Sequence, residues 1–270
     1  EWRDGLIPST ITAIDSYSVY RLPSLNYLKW NVKDTTVVSG ITYDVFRILG
    51  TEGNEFTFEL GENVERFSII GLSAGYLDIY ATKLILNKDL KQLDDYPFAR
   101  MPNVKEVDYN CENDVTVPSN INYTAFKYCG KNTTNGVTLN IGENVSVLPD
   151  NIFYYFESLK EVNFLGDKIT KMGKNVFNTC TSLTNIVLPK NIESIGNYAF
   201  YHCTSLTSIE IPASVTNIGN TAFHNCTSLT KVVYKGQAPN INNMTYWNCT
   251  AVTLYDFRNC TSIPTLLDTY

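Results

Sequence analysis

The chain has 270 residues, 44% apolar and 18% charged, an ordinary globular composition that can bury a large core. Its formal net charge is −6 with a pI near 5.0, and Lys and Arg do not cluster, which disfavours nucleic acid and anionic membranes as partners. No run of about 18 apolar residues crosses a bilayer, and Glu1-Trp2-Arg3-Asp4 does not read as a signal peptide, although a trimmed start would leave the compartment open.

In chain order, Leu6-Ile7-Pro8 leads into Ile11, Ile14, Val19, Leu22, Leu25, Leu28 and Trp30. The same apolar offsets return around Phe46, Leu72, Phe98, Phe126 and Phe153, with Leu72 the weakest anchor and Ser73 to Thr82 irregular. Insertions follow Phe46 and Phe126. Beyond them the spacing becomes strict: Phe177, Phe200, Phe223 and Tyr246 each lie 23 residues after the last. Counted from each anchor, apolar residues fall at minus 8, minus 5, plus 3, plus 6, plus 9 and plus 11. Around Phe200 these are Ile192, Ile195, Cys203, Leu206, Ile209 and Ile211. A unit this short cannot bury its own apolar face, so the period predicts a stacked solenoid. It reads as one domain over 1–270 with about ten rungs: longer irregular rungs over 6–164, regular ones over 165–257, and 258–270 as a partial cap (Leu266-Leu267) or a truncated next rung.

Plus 9 and plus 11 alternate as in a strand, which predicts a mainly β fold with one short parallel strand per rung, closed by Pro189 and Pro212. At minus 4 stand Gly173, Gly196 and Gly219, replaced elsewhere by Asp15, Asp94 or Asn122, which suggests a left-handed turn residue. The A-F-x-x-C segment fits a short helical or 3₁₀ turn.

The segment LTSIEIPASVTNIGNTAFHNCTSLT, with its IP, IG, AF and CTSLT words, resembles the BspA-like subclass of leucine-rich repeats. The resemblance implies a right-handed leucine-rich repeat horseshoe or rod with a parallel sheet on its concave face. It also implies a protein displayed on or secreted from a microbial cell, in a family associated with adhesion to host or neighbouring-cell surfaces.

Cys129, Cys180, Cys203, Cys226 and Cys249 share the plus 3 slot and read as free thiols behaving as small hydrophobes, which with the anchors Phe153, Phe177, Phe200 and Phe223 make a core ladder. Cys111 falls in an insertion and Cys260 in the last fragment, and no Cys-x-x-Cys pair suggests zinc. His202 and His224 read as exposed turn residues. Asp108, Asn110, Glu112 and Asp114 alternate like the start of a calcium loop, but Asn113 and Ser119 replace the required Gly and Glu, so this reads as a solvated insertion. With no nucleophile–base arrangement, phosphate loop or metal spacing, the expectation is no catalytic residue, no metal and no cofactor. N-x-S/T triplets at Asn225, Asn248 and Asn259 are by-products of the repeat word.

The outward strand positions at plus 8 and plus 10 make the better candidate site, because they place varied side chains on a rigid frame. The expected contacts are Tyr27, Lys29, Glu59, Lys83, Glu106, Asp108, Glu161, Asn163, Asn185, Glu210, Lys231 and Asp256. A second row, at plus 1 and plus 2, carries Tyr20, Tyr128, Tyr154, Tyr155, Tyr201 and Trp247, residue types that favour interfaces or sugar stacking. The expected function is a non-enzymatic extracellular or cell-surface adhesion protein that holds a protein or glycan ligand, with end-to-end or edge self-association as a further possibility. The alternative is a structural spacer or assembly segment of a larger surface or virion protein, without a ligand of its own.

Overall fold

The structure is a computed structural model that describes residues 6–7, 19–22, 24–31, 46–50, 53–67, 79–94, 97–99, 101–112, 114–117, 124–241 and 244–260. The weak anchor Leu72, the residues Ile11, Ile14, Asp15 and Asn122, the side chain of Tyr20 and the Leu266-Leu267 cap lie outside that description.

Period-2 alternation in short apolar runs produces 18 short strands among the described residues. The first nine are β1 (Leu6–Ile7), β2 (Val19–Leu22), β3 (Tyr27–Trp30), β4 (Phe46–Leu49), β5 (Thr57–Leu60), β6 (Arg66–Phe67), β7 (Lys83–Leu86), β8 (Gln92–Leu93) and β9 (Glu106–Tyr109). Then follow β10 (Val137–Ile141), β11 (Val147–Leu148), β12 (Leu159–Phe164), β13 (Lys171–Met172), β14 (Ser194–Ile195), β15 (Ser208–Ile211), β16 (Asn217–Ile218), β17 (Lys231–Tyr234) and β18 (Leu254–Asp256).

All pairings are parallel, and every neighbour is the equivalent strand of another rung. One face carries a seven-stranded sheet, β1-β3-β5-β7-β9-β10-β12, continued after a gap by β15-β17-β18. A second line of two-residue strands, β11-β13-β14-β16, sits around the minus 5 apolar slot. The molecule is a parallel-strand solenoid whose interior is one continuous apolar cluster.

Register sets the surface rows. Lys29, Glu59, Ile85, Asp108, Asn140 and Asn163 pair in sequence across the large sheet, as do Tyr27, Thr57, Lys83, Glu106, Thr138 and Glu161. Alternate residues point inward: Leu28, Phe58, Leu84, Val107, Leu139 and Val162 are all buried. An aromatic file runs up the interior, Phe67, Phe98, Phe126, Phe153, Phe177, Phe200, Phe223 and Tyr246, with consecutive ring centroids 5.1 to 5.7 Å apart.

Three local expectations need correction. The A-F-x-x-C segment is a run of tight turns, and no helix of either kind occurs among the described residues. The reason lies at minus 2 and plus 2, where Asn151, Asn175, Tyr198 and Thr221, then Tyr155, Thr179, His202 and Asn225, take φ between 54° and 63°. A left-handed residue every fourth position cannot propagate a right-handed helix. Each such conformation costs on the order of 1–3 kcal/mol outside glycine, and the offset comes from inter-rung hydrogen bonds. Backbone N–H groups of Tyr198, Phe200 and His202 donate to Asn220, Ala222 and His224 carbonyls at 3.0, 2.7 and 2.8 Å, and Asn175, Phe177 and Thr179 donate in the same way one rung earlier.

The glycine at minus 4 is not left-handed. Gly173, Gly196 and Gly219 are absent from the positive-φ set, and they are required by close approach instead. A Cβ on Gly196 would collide with the Gly173 carbonyl and meet the Lys174 nitrogen at 2.8 Å. Finally, one rung lacks its strand: 185–188 joins neither β12 nor β15, and the nearest bond is Thr207 N–H to the Thr184 carbonyl at 3.1 Å.

Candidate functional site

The outward strand row divides into a closed stretch and an open one. In the early rungs, register brings opposite charges side by side. Tyr27 donates to Glu59 at 2.6 Å, Lys29 pairs with the same carboxylate at 2.9 Å, and Asn87 donates to it at 2.9 Å. Burial alone would push the Glu59 carboxyl up, but these donors outweigh it and hold the group below its ordinary value. Lys83 bridges Asp108 at 2.7 Å and Glu106 at 3.0 Å, and Asn140 ties both carboxylates to Asn163. Burial would lower Lys83, yet those two acids hold it above its usual range.

Of the twelve sequence-predicted contacts, Tyr27, Lys29, Glu59, Lys83, Glu106, Asp108 and Asn163 are therefore joined into two hydrogen-bonded clusters. Asp256 is also engaged: Arg258 donates to it at 2.5 Å and holds its carboxyl down to about 2. Glu210 meets Lys235 at 3.1 Å in an exposed pair. Glu161, Asn185 and Lys231 stand exposed. Val187 and Leu254 add apolar surface in the same stretch, Val187 being 75% exposed. Val233, a plus 10 position, is instead buried between the Glu210 and Asp256 columns.

A cleft of about 800 Å³ opens over the exposed stretch. Its floor includes Thr138, Glu161, Asn163, Asn185 and Val187, and Lys105 and Lys160 stand at its rim. One wall is the loop 131–136, bounded by Gly130 and Gly136 at φ of 66° and 76°. A side chain at Gly136 would meet Lys160 Cβ at 2.7 Å, so only glycine permits this turn. Asn132 N–H to the Pro102 carbonyl (2.9 Å), Asn132 to Asn103 (3.2 Å) and Thr133 to the Gly130 carbonyl (2.7 Å) pin the loop upright.

Lys105, Lys160 and the 132–135 wall were missed when the sequence was read by columns. Their signal was the break in register after Cys129, where Leu139 arrives at plus 13 rather than plus 9 and leaves four extra residues to project. On the turn side, Tyr154 is buried, Tyr128 and Trp247 are exposed, and His202 and His224 are half-buried against Tyr201 rather than fully exposed.

The thiols offer little chemistry. Cys180, Cys203 and Cys226 are fully buried, and burial pushes each thiol up, Cys203 to about 12. Each sulfur lies within hydrogen-bond reach of the anchor carbonyl one rung earlier: Cys180 to Phe153 at 3.4 Å, Cys203 to Phe177 at 3.1 Å, Cys226 to Phe200 at 3.1 Å and Cys249 to Phe223 at 2.9 Å. The slot selects a small apolar side chain that also donates. Among the described residues, no group of three or more His, Cys, Asp and Glu is arranged to hold a metal, and no helix is long and apolar enough to cross a membrane.

The profile of the BspA type leucine-rich repeat region matches residues 119–253 in six copies. The chain belongs to that family. Among solved structures it is similar to a leucine-rich repeat protein from Bacteroides ovatus, at 22% identity over 84% of this chain and 60% of that one, with a TM-score of 0.48. It is also similar to a leucine-rich repeat protein from T. pallidum, at 22% identity over 66% of this chain and 80% of that one, with a TM-score of 0.42. The pneumococcal vaccine antigen PcpA matches at 18% identity over 86% of this chain and 62% of that one, with a TM-score of 0.37. The chain thus spans three fifths of the length of the Bacteroides ovatus protein. Comparison with the curated proteins returns no match.

Proposed function

We propose that the chain is a non-enzymatic binding protein of the cell surface or extracellular space, whose strand face between the 131–136 loop and Val187 holds a segment of another protein in an adhesive contact. One observation carries this reading: Glu161, Asn185 and Val187, outward side chains not consumed by mutual pairing, all line the 800 Å³ cleft. Rim lysines, a floor of asparagine and threonine, and exposed Val187 form a polar rim around an apolar contact, the usual anatomy of a protein interface. The family contributes the surface or secreted setting through its resemblance to microbial adhesion proteins.

The test is binding to a panel of immobilised extracellular-matrix proteins by native protein and by Val187→Arg, Lys160→Glu and Lys29→Ala. The expected outcome is loss of about tenfold or more in affinity for the first two and little change for Lys29→Ala. Equal binding by all four, or no binding by any, would overturn the assignment.

A further inference from the structure

The turn side of the coil carries a second surface, independent of the strand face. Positions plus 1 and plus 2 form a strip across six rungs, from Lys127-Tyr128 to Trp247-Asn248, whose ring-bearing members include Tyr128, Tyr155, Tyr201, His202, His224 and Trp247. Stacking packs these rings along the coil. Tyr201 lies 5.1 Å from His224 and 6.2 Å from His202, and Lys127 sits between Tyr128 and Tyr155 at 5.3 and 5.4 Å from their centroids. Tyr128 is 48% exposed and Trp247 47%.

Charge is nearly absent here. None of the twelve plus 1 and plus 2 positions is acidic, the one cation is Lys127 at the early end, and the rungs of Tyr201, His224 and Trp247 have no Asp, Glu, Lys or Arg from minus 3 to plus 5. Hydrogen-bonding groups fill the spaces between rings: Asn225 donates to the Tyr201 hydroxyl at 3.4 Å and Asn248 to Asn225 at 2.7 Å. One polar atom in this strip, His224 Nδ1, is buried without a hydrogen-bond partner, an unfavourable state that a ligand can relieve.

We propose that this strip binds a linear, uncharged β-linked glycan lying across the rungs, with about one pyranose per rung. The anchors beneath it, Phe177, Phe200, Phe223 and Tyr246, repeat at 5.4, 5.1 and 5.2 Å, close to the advance of an extended β-linked chain per sugar. The strip advances at the rung repeat, with rings in the rungs of Phe126, Phe153, Phe200, Phe223 and Tyr246 and an amide and a hydroxyl, Asn178 and Thr179, in that of Phe177, a regular spacing that suits a ligand with a repeat of its own. Rings offer their apolar faces to sugar C–H groups while amides and hydroxyls meet the sugar hydroxyls. A nucleic acid, the other ligand that stacks on rings, would require cations that the central rungs lack.

The experiment is affinity electrophoresis through gels containing barley β-glucan, hydroxyethyl cellulose, galactomannan or, as an α-linked control, dextran, with the fold of each variant checked by circular dichroism. The native protein is expected to be retarded by at least one β-linked polymer and not by dextran, with no loss at raised salt. Tyr201→Ala with Trp247→Ala is expected to weaken retardation about tenfold or more, Tyr201→Phe with Trp247→Phe to retain most of it, and Val187→Arg to leave it unchanged, which separates this site from the strand face. If the double alanine variant fails to fold, the Phe pair and protection of Trp247 fluorescence from acrylamide by the polymer decide the question. No retardation by any β-linked polymer, retardation abolished by salt, or retardation indifferent to the alanine pair in a folded protein would overturn the proposal.

Discussion

From Leu6 to Phe164 the strand face is one seven-stranded sheet whose outward polar groups bind one another, whereas from Gly166 onward that face is broken at 185–188 and the turn side carries the regular inter-rung hydrogen bonds. The two halves solve one stacking problem with different bonds. Early rungs vary in length; among the described residues their anchors share one such turn bond, Phe98 N–H to the Ala125 carbonyl at 3.1 Å, and the strand ladder keeps them in register. Later rungs share one length, so left-handed residues superpose and each turn bonds the next. The cleft lies where the two regimes meet, lined by 132–136, Thr138 and 160–163 of the last sheet rungs and by 184–187, where the strand ladder breaks.

The largest expected effect is Phe200→Ala. Its ring is fully buried and stacked between Phe177 and Phe223, so truncation should cost about 3–5 kcal/mol in equilibrium urea unfolding. A cost under about 1 kcal/mol would mean that the file does not bear on stability. Next, Gly196→Ala should cost about 1–3 kcal/mol because its Cβ meets neighbouring backbone. Gly142→Ala, whose Cβ meets only the Asn110 side chain and backbone edge, should cost clearly less. Equal costs would mean that backbone contact at the minus 4 turn of Gly196 strains the coil no more than a movable side chain does at Gly142.

Charge should divide the halves less strongly. Glu59→Gln removes the charge and replaces one of two acceptor oxygens shared by three donors with an NH₂ donor, and should cost about 1–2 kcal/mol, whereas Glu210→Gln in an exposed pair should change stability by under about 0.5 kcal/mol. Because the Glu59 carboxyl lies below its ordinary 4.5 in the folded state, its contribution is present above that pH and is lost as pH falls through the folded value. An acid titration of native protein against Glu59→Gln should show that loss only in the native protein. The thiols act oppositely. Cys203 is raised from 9.0 to about 12, so its contribution is complete below pH 9 and is lost as pH rises from 9 toward 12. Cys203→Ala should flatten that alkaline decline in thermal melts. The smallest effect is expected for Val187→Arg, within about 0.5 kcal/mol of native stability.

The period was legible because apolar columns at plus 9 and plus 11 are a local consequence of strand alternation, and parallel register then aligned Lys29, Glu59 and Asp108 in one row. Whether those charges would be spent on each other depended on side-chain reach across rungs, which spacing alone does not encode. The turns were misread for a related reason. Gly196 drew attention as a left-handed candidate, yet the asparagines at 151, 175, 225 and 248, a residue type that tolerates positive φ, marked the true positions. The strand missing at 185–188 had no local signal, since Asn185-Ile186-Val187-Leu188 alternates like its neighbours.

Amide hydrogen exchange on the free protein tests the division of labour between the two faces most directly. Slow exchange is predicted at Phe177, Thr179, Tyr198, Phe200 and His202, whose N–H groups donate to the next turn, with fast exchange at Ile186, Val187 and Leu188. Protection at 186–188 equal to that of β9 and β10, together with rapid exchange along the turns, would contradict it.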